Sequence, residues 1–320
     1  MKKVWKVFAG ITIIGILMVA LAVGYLLKQY GPNFGIYISK PTPEEYVRQV
    51  VQMIDTQAIY ADTEEWREKR AETLENAKSA TSYEETYDML DQALKVGGGK
   101  HSRLIRPDTE NGAEVQMPDC YMEEGILVVK LPEFMGDLTQ GQEYADMVCN
   151  ALREHQDEIK GVIVDLRDNC GGDMGPMIAA VSPVLPDGEL MYFDIHGKVN
   201  PVTLQKGSVN GGGSAMTVAN AFKLEGIPVA VLQNELTASS GEATLLCFRG
   251  LDYVKSFGTP SAGYCSCNNV RNLYDDAVVL VTMGKDVDRT GNVFCEDPIV
   301  PDVETLNPLQ DAMEWILGGN

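Results

Sequence analysis

The sequence is poor in positive charge and poorer still in histidine. Against 46 acidic residues stand only 26 lysines and arginines and three histidines, a formal net charge of −20. A surface of this sign is repelled by phosphate backbones and by anionic lipid headgroups, which excludes nucleic acid as a partner. No histidine cluster accompanies the cysteines, and Cys265-x-Cys267 is too short a spacing for a zinc knuckle, so neither a metal nor any other cofactor is expected. The seven cysteines (120, 149, 170, 247, 265, 267 and 295) are an odd number, which excludes a full set of disulfides. Cys149 and Cys247 lie in apolar helical patterns and read as core residues. Internal repeats and low-complexity tracts are absent.

The hydrophobic residues that are present are unevenly spread. Val7 to Leu27 contains no charge, with Lys2, Lys3 and Lys6 before it and Lys28 after it. At 1.5 Å per residue this run spans roughly 30 Å, the thickness of a bilayer's hydrocarbon. A signal peptide cut near Ala22 would release a secreted protein, but the apolar run continues past that point and exceeds a normal signal core. The reading is an uncleaved signal anchor, and with no cysteine near its end a lipoprotein is not indicated. The leading lysines orient the amino terminus to the cytoplasm. Residues 31–320 then lie outside it, single-pass at the cell membrane. They hold all 46 acidic side chains and 22 basic ones (26 less Lys2, Lys3, Lys6 and Lys28), a net charge near −24.

Four segments follow: anchor 1–29, a Gly/Pro-containing tether 30–43, a helical subdomain 44–96, and a core 97–320. In the subdomain, Asp62-x-x-Glu65 and Ser82-x-x-Glu85 look like capping boxes, and Trp66, Ala71, Leu74 and Ala77 recur at near-helical spacing. Gly97-Gly98-Gly99 is expected to break the helical pattern. Beyond it, apolar strand candidates at Ile126–Leu131, Gly161–Leu166, Pro228–Leu232, Tyr253–Phe257 and Ala277–Met283 alternate with helix candidates at Glu143–His155, Met174–Val181, Ala215–Lys223 and Ser240–Phe248. That texture predicts an α/β core of helices packed on a sheet. Asn210–Gly213 reads as a loop.

Three separated segments could carry chemistry. His101 sits in the glycine-rich stretch Gly97–Ser102. The apolar run Val162–Val164 leads into Asp165-Leu166-Arg167-Asp168-Asn169-Cys170-Gly171-Gly172, a turn whose amides could bind an oxyanion. Asn234–Glu242 places Ser239 and Ser240 at the start of an apolar helix, where the dipole and unbonded amides favour developing negative charge. Each has a plainer reading: a loop histidine, a βα connection, and a Ser239-x-x-Glu242 capping box.

Together, in this order, the segments resemble the tail-specific (C-terminal-processing) and tricorn-core serine peptidases. Gly258-Thr259-Pro260-Ser261-Ala262-Gly263-Tyr264 and Cys295-Glu296-Asp297-Pro298-Ile299-Val300-Pro301-Asp302-Val303 look like two further motifs of that family, so the resemblance runs from about residue 45 to 305. It implies a ClpP/crotonase-like core of ββα-type units. Within the family, processing proteases use a lysine 25 residues after the nucleophile, and that position is Tyr264; no lysine lies between Gly258 and Lys285. About 20 residues separate Arg103 from the first core strand, too few for a PDZ domain. The tricorn-like branch, with a histidine base and a late glutamate, fits His101 and Glu296.

The resemblance implies acyl transfer with Ser239 as nucleophile, since the family's serine precedes the glutamate, here Glu242, by three residues. His101 is then the base and Glu296 its orienting partner, with Ser240 and Gly171 or Gly172 giving the oxyanion amides. The branch has a serine just before its histidine, where this chain has Lys100; Ser102 on the other side could substitute, or Lys100 could pair with Glu296. The expected substrate is a polypeptide tail or short peptide, and a homo-oligomer is compatible with the sequence. Two other readings stay open: a catalytically silent peptide-binding scaffold of the same fold, and a non-peptidase acyl hydrolase.

Overall fold

The computed structural model describes residues 2–107 and 115–318. It resolves into two compact units, Met1–Thr109 with Asn268–Thr282, and Glu110–Cys267 with Met283–Asn320. A far downstream segment, Asn268–Thr282, returns to complete the core of the amino-terminal helices. Local sequence cannot announce such a return.

The first unit begins with helix Lys2–Tyr30, of which Thr12–Tyr30 is long and apolar enough to cross a membrane by length and composition and buries nothing. A 3₁₀ turn Gly31–Phe34 leads to three packed helices, Pro43–Gln57, Glu64–Asn76 and Tyr87–Gly98. Thr42 and Glu45 form a reciprocal capping box with Pro43 at the first helical position. The next helix is capped by Thr63, one residue beyond the expected Asp62, its hydroxyl accepting from the Trp66 amide. Tyr46, Val50, Ile54, Trp66, Leu90 and Leu94 are buried together with Leu273, Ala277, Val279 and Val281 from the returning hairpin. Gly97 and Gly98 remain helical; the break comes at Gly99, with φ of 77°. A Cβ at Gly97 would lie 2.2 Å from Ile54 Cγ2, and at Gly98 2.0 Å from Ser102 Oγ. These two glycines serve close packing, not termination.

The second unit is built on a six-stranded sheet in the order Val303–Glu304, Val254–Gly258, Val229–Gln233, Gly161–Asp165, Ile126–Lys130, Asp119–Glu123, parallel except for the last pair. The middle strands are continuous Val/Ile/Leu runs because both faces are covered. Leu127, Val129, Val162, Val164, Val229 and Val231 face helices Leu138–Glu154, Met174–Ala180 and Ser240–Leu246, while Ile126, Val128, Ile163, Ala230 and Leu232 face helix Pro308–Leu317. The mixed α/β class and the expected central strands therefore appear with small boundary shifts. A second set of antiparallel strands, Gly188–Ile195, Lys198–Gln205, Ser208–Asn210 and Met216–Thr217, was not expected. Its tight turns carry His196-Gly197 and Lys206-Gly207, all four at positive φ.

The helix expected over Ala215–Lys223 does not form. Met216–Thr217 is extended, Asn220 takes a positive φ, and tertiary contacts hold the rest open. Lys223 Nζ donates to the Ser182 and Leu185 carbonyls at 2.9 and 2.7 Å, and the Arg153 guanidinium lies 4.3 Å from the Phe222 ring centre. Packing overrides a weak local preference here.

Candidate active site

In the second unit, two turns meet at the carboxyl ends of neighbouring parallel strands, the edge at which open α/β sheets bind ligands. One follows Gly161–Asp165 and the other follows Val229–Gln233. Side chains stitch them together. Asp168 and Asn234 exchange two hydrogen bonds, Asn234 Nδ2 donating to Asp168 Oδ1 at 2.8 Å and the Asp168 amide to Asn234 Oδ1 at 3.0 Å. Thr237 Oγ1 donates to the Leu166 carbonyl at 2.8 Å, and the Ala238 amide to the Asn169 carbonyl at 2.9 Å. The fully buried Asn169 donates in turn to the Leu131 carbonyl. The roles of Asn169 and Asn234 are marked in the sequence only by an asparagine at each strand end, able to donate and accept at once.

Ser239 precedes helix Ser240–Leu246 with φ 53° and ψ −117°. A non-glycine residue in such a conformation costs on the order of 1–3 kcal/mol and persists only where its surroundings enforce it. The enforcing group is Glu242, fully buried, whose Oε2 accepts from the Ser239 amide at 2.9 Å and the Tyr264 amide at 2.7 Å. Its Oε1 accepts from Ser261 Oγ at 2.5 Å and the Gly263 amide at 2.8 Å. Glu242, expected only as a motif marker, thus ties the serine turn to the 261–264 loop. Ser261 is a residue the sequence reading passed over; its hydroxyl also accepts from the Ile299 amide.

The glycine pair stands directly against the serine. A Cβ on Gly171 (φ 114°) would fall 2.8 Å from Ser239 Cβ and 3.3 Å from its Oγ, and one on Gly172 (φ 103°) 2.0 Å from the Phe134 carbonyl oxygen. Only glycine fits either place. The Gly171 amide donates to Asn169 Oδ1 at 2.9 Å, whereas the Gly172 amide has no acceptor among the described residues. Ser240 Oγ donates to the Gly172 carbonyl at 2.5 Å, so Ser240 clamps the turn while Ser239 Oγ stands beside it. Glu296 lies in the loop after Val293–Phe294, half-buried, its carbonyl packed on Gly263.

His101, Lys100 and Ser102 belong to the first unit. His101 is buried, and burial first, then the charges of Arg103 and Lys100, depress its pKa from 6.5 to about 4. The Asn268 amide nitrogen lies 3.1 Å from Nδ1 and 3.2 Å from Nε2 of its ring. Asn268 Oδ1 accepts from Thr282 Oγ1 at 2.8 Å, and Ser102 Oγ, fully buried, donates to that threonine hydroxyl at 3.1 Å and accepts from its amide at 2.9 Å. Ser102 is therefore joined to the histidine through Thr282 and Asn268. Both partners lie on the returning hairpin, and nothing in their local sequence marks them.

The profile of peptidase family S41 matches residues 125–305, more than half of the chain. The chain belongs to peptidase family S41. It is 39% identical over 295 residues to a protein of Lactococcus lactis subsp. lactis named "Nisin-resistance protein", covering 91% of this chain and 92% of that one. A "Probable CtpA-like serine protease" of Staphylococcus epidermidis is 22% identical, with 71% of this chain aligned to 45% of that protein. Among solved structures, a lipoprotein from Streptococcus agalactiae superposes with a TM-score of 0.79 at 30% identity, covering 88% of this chain and 99% of that one. The photosystem II D1 C-terminal processing protease, at 15% identity and a TM-score of 0.57, shares the fold over 88% of this chain and 98% of its own.

This S41 protein is a serine-type peptidase. Its position 25 residues after Ser239 is Tyr264, which offers a backbone amide to Glu242 where a lysine base would require an amine. Lys285 is exposed, opposite Asp194 in the strand pairing. A cleft of roughly 350 Å³ in the second unit is lined by residues such as Phe248, Arg249, Asp288 and Asp302 and includes none of the serine turn.

Proposed function

We propose that this S41 peptidase is anchored by its amino-terminal helix, works outside the cytoplasm, and hydrolyses peptides with Ser239 as nucleophile and His101 as base. The conformation of Ser239, enforced by Glu242 and set against Gly171–Gly172, is the observation that carries the reading. The Ser240 and Gly172 amides are the oxyanion donors in this proposal, since the Gly171 amide is already used by Asn169; one such donor lowers the barrier by about 3 kcal/mol. His101 takes the serine proton and returns it to the leaving amine. Asn268 takes the positioning role first given to Glu296, because it touches the imidazole within the same unit. The tricorn-like assignment follows from this Ser–His pairing.

The likeness to a nisin-resistance protein supports a nisin-like antimicrobial peptide as substrate, met at the cell surface. A net charge near −24 beyond the anchor favours a cationic one. The direct test uses the full chain in lipid nanodiscs, a fluorophosphonate probe, and nisin digestion followed by mass spectrometry. Labelling with cleavage is expected. A folded protein that labels but cleaves only esters would move the reading to an acyl hydrolase, and one that does neither would move it to a silent scaffold.

The depressed His101 pKa gives a second prediction. Protonation removes the base, so activity should fall only as pH drops toward 4, and the acid limb of kcat/KM should lie well below 6.5. Asn268→Ala is expected to lower kcat on the order of tenfold with little change in KM, as a loss of orientation does. Asn268→Asp should restore part of the rate and move the acid limb upward, because a carboxylate beside the ring favours imidazolium. A wild-type kcat in Asn268→Ala together with an unmoved acid limb in Asn268→Asp would remove Asn268 from the machinery.

A further inference from the structure

The first unit distributes its apolar surface unevenly. Beyond the amino-terminal helix, its exposed large hydrophobic side chains among the described residues are Ile36, Ile38, Val270 and Tyr274, and the three packed helices expose none. Two come from the strap after the helix and two from the tip of the returning hairpin, Ser266–Asn272 and Val278–Asp288. The segments are far apart in sequence but joined in space, since the Tyr37 and Tyr274 rings meet edge-on at 5.4 Å. Tyr274 also meets Tyr83, whose hydroxyl donates to the Pro41 carbonyl. The strap after the helix thus packs against the hairpin tip.

This patch begins where the apolar helix ends. The Ile36 amide donates to the Gly31 carbonyl at 2.9 Å, which folds the strap back to within one residue of the helix terminus at Tyr30. Lys28 pairs with Glu45 at 3.8 Å, tying that terminus to the first bundle helix. The basic side chains of this end, Lys28, Lys40 and Arg271, lie in the same two segments or at the helix terminus, unlike the acidic remainder of the chain. Aromatic rings, isolated aliphatics and snorkelling cations are what a membrane–water interface selects.

We propose that Ile36, Ile38, Val270 and Tyr274 form a seat for the lipid headgroup zone, so that the hairpin tip rests on the bilayer into which the helix inserts. The proposal rests on the anchor reading of that helix. Contact stops at the headgroups, because Asp276 is exposed at the same tip and would not enter hydrocarbon. Asp275 is already held by the Tyr46 and Tyr87 hydroxyls. The consequence is a hairpin whose base carries Asn268 and Thr282, the partners of His101, and whose tip touches lipid.

The test places the full chain in nanodiscs containing a photoactivatable phospholipid, illuminates them, and maps lipid adducts by mass spectrometry. Adducts are expected on peptides holding residues 36–38 and 270–274 as well as on the helix. Ile38→Ser with Val270→Ser should lose the adducts of both segments and keep those of the helix. Adducts confined to the helix would overturn the seat and leave the anchor standing. A helix without adducts would overturn the anchor, and the seat with it.

Discussion

Ser239→Ala is expected to abolish fluorophosphonate labelling and to lower kcat for peptide cleavage on the order of 10⁴- to 10⁶-fold, the loss seen when a nucleophile that acts as a unit with its base is removed. The fold should survive, because the tie from Glu242 is made to the Ser239 backbone amide and not to the hydroxyl. Ser240→Ala should behave differently. Its hydroxyl donates to the Gly172 carbonyl, so its loss slackens the Gly171–Gly172 turn by about 1 kcal/mol, within roughly a tenfold effect on rate, while labelling persists. A third variant tests the strain itself. Glycine occupies positive φ without penalty, so Ser239→Gly should be more stable than Ser239→Ala by on the order of 1 kcal/mol, read as a higher denaturant midpoint. Labelling retained in Ser239→Ala and lost in Ser240→Ala would exchange the roles of the two serines.

Much of the second unit was readable because it is built from signals of short range. Gly161–Asp165 and Val229–Gln233 are uninterrupted β-branched runs, buried on both faces, and helices 174–180 and 240–246 begin where polar turn residues give way to apolar ones. The antiparallel strands from 188 to 217 were missed because they are half-exposed, carry Pro201 within a strand, and alternate too weakly to stand out. The serine turn was legible from Ser239-x-x-Glu242, but the same pattern describes an ordinary helix cap, and the capping geometry was in fact the means by which Glu242 holds the turn. What could not be read was the hairpin that brings Asn268 and Thr282 to His101. Its pairing spans more than 160 residues, and the chemistry of an asparagine in a polar strand carries no trace of its partner.

Glu242 is the residue whose loss should cost the most structure. Four donors hold its carboxylate, and three of them are backbone amides that cannot turn away. Burying a carboxylate is tolerated only when its lone pairs are filled, and here each oxygen accepts twice. Glu242→Ala removes two acceptor oxygens and the four hydrogen bonds they receive, from the buried Gly263 amide and Ser261 hydroxyl and from the part-buried Ser239 and Tyr264 amides. With each orphaned group costing about 1–3 kcal/mol and water filling part of the space, the expected destabilisation is on the order of 3–5 kcal/mol, read as a lower midpoint in urea. Glu242→Gln keeps the shape but turns an NH₂ group toward two donors, so about half of that loss should remain. The effect on chemistry should exceed the effect on the fold. Once the amide at 239 is released, nothing compels a serine to stay at positive φ, and the hydroxyl relaxes away from Gly171. Glu242→Gln should therefore stay folded at low temperature yet label far more slowly than wild type. Ser261→Ala, which removes one donor to Glu242 and one acceptor for the Ile299 amide, should fall between the two in stability and keep its labelling. A Glu242→Ala protein with wild-type stability and wild-type labelling would mean that the turn is held by its neighbours Asn169 and Thr237 alone, and that the buried carboxylate serves packing and not the nucleophile.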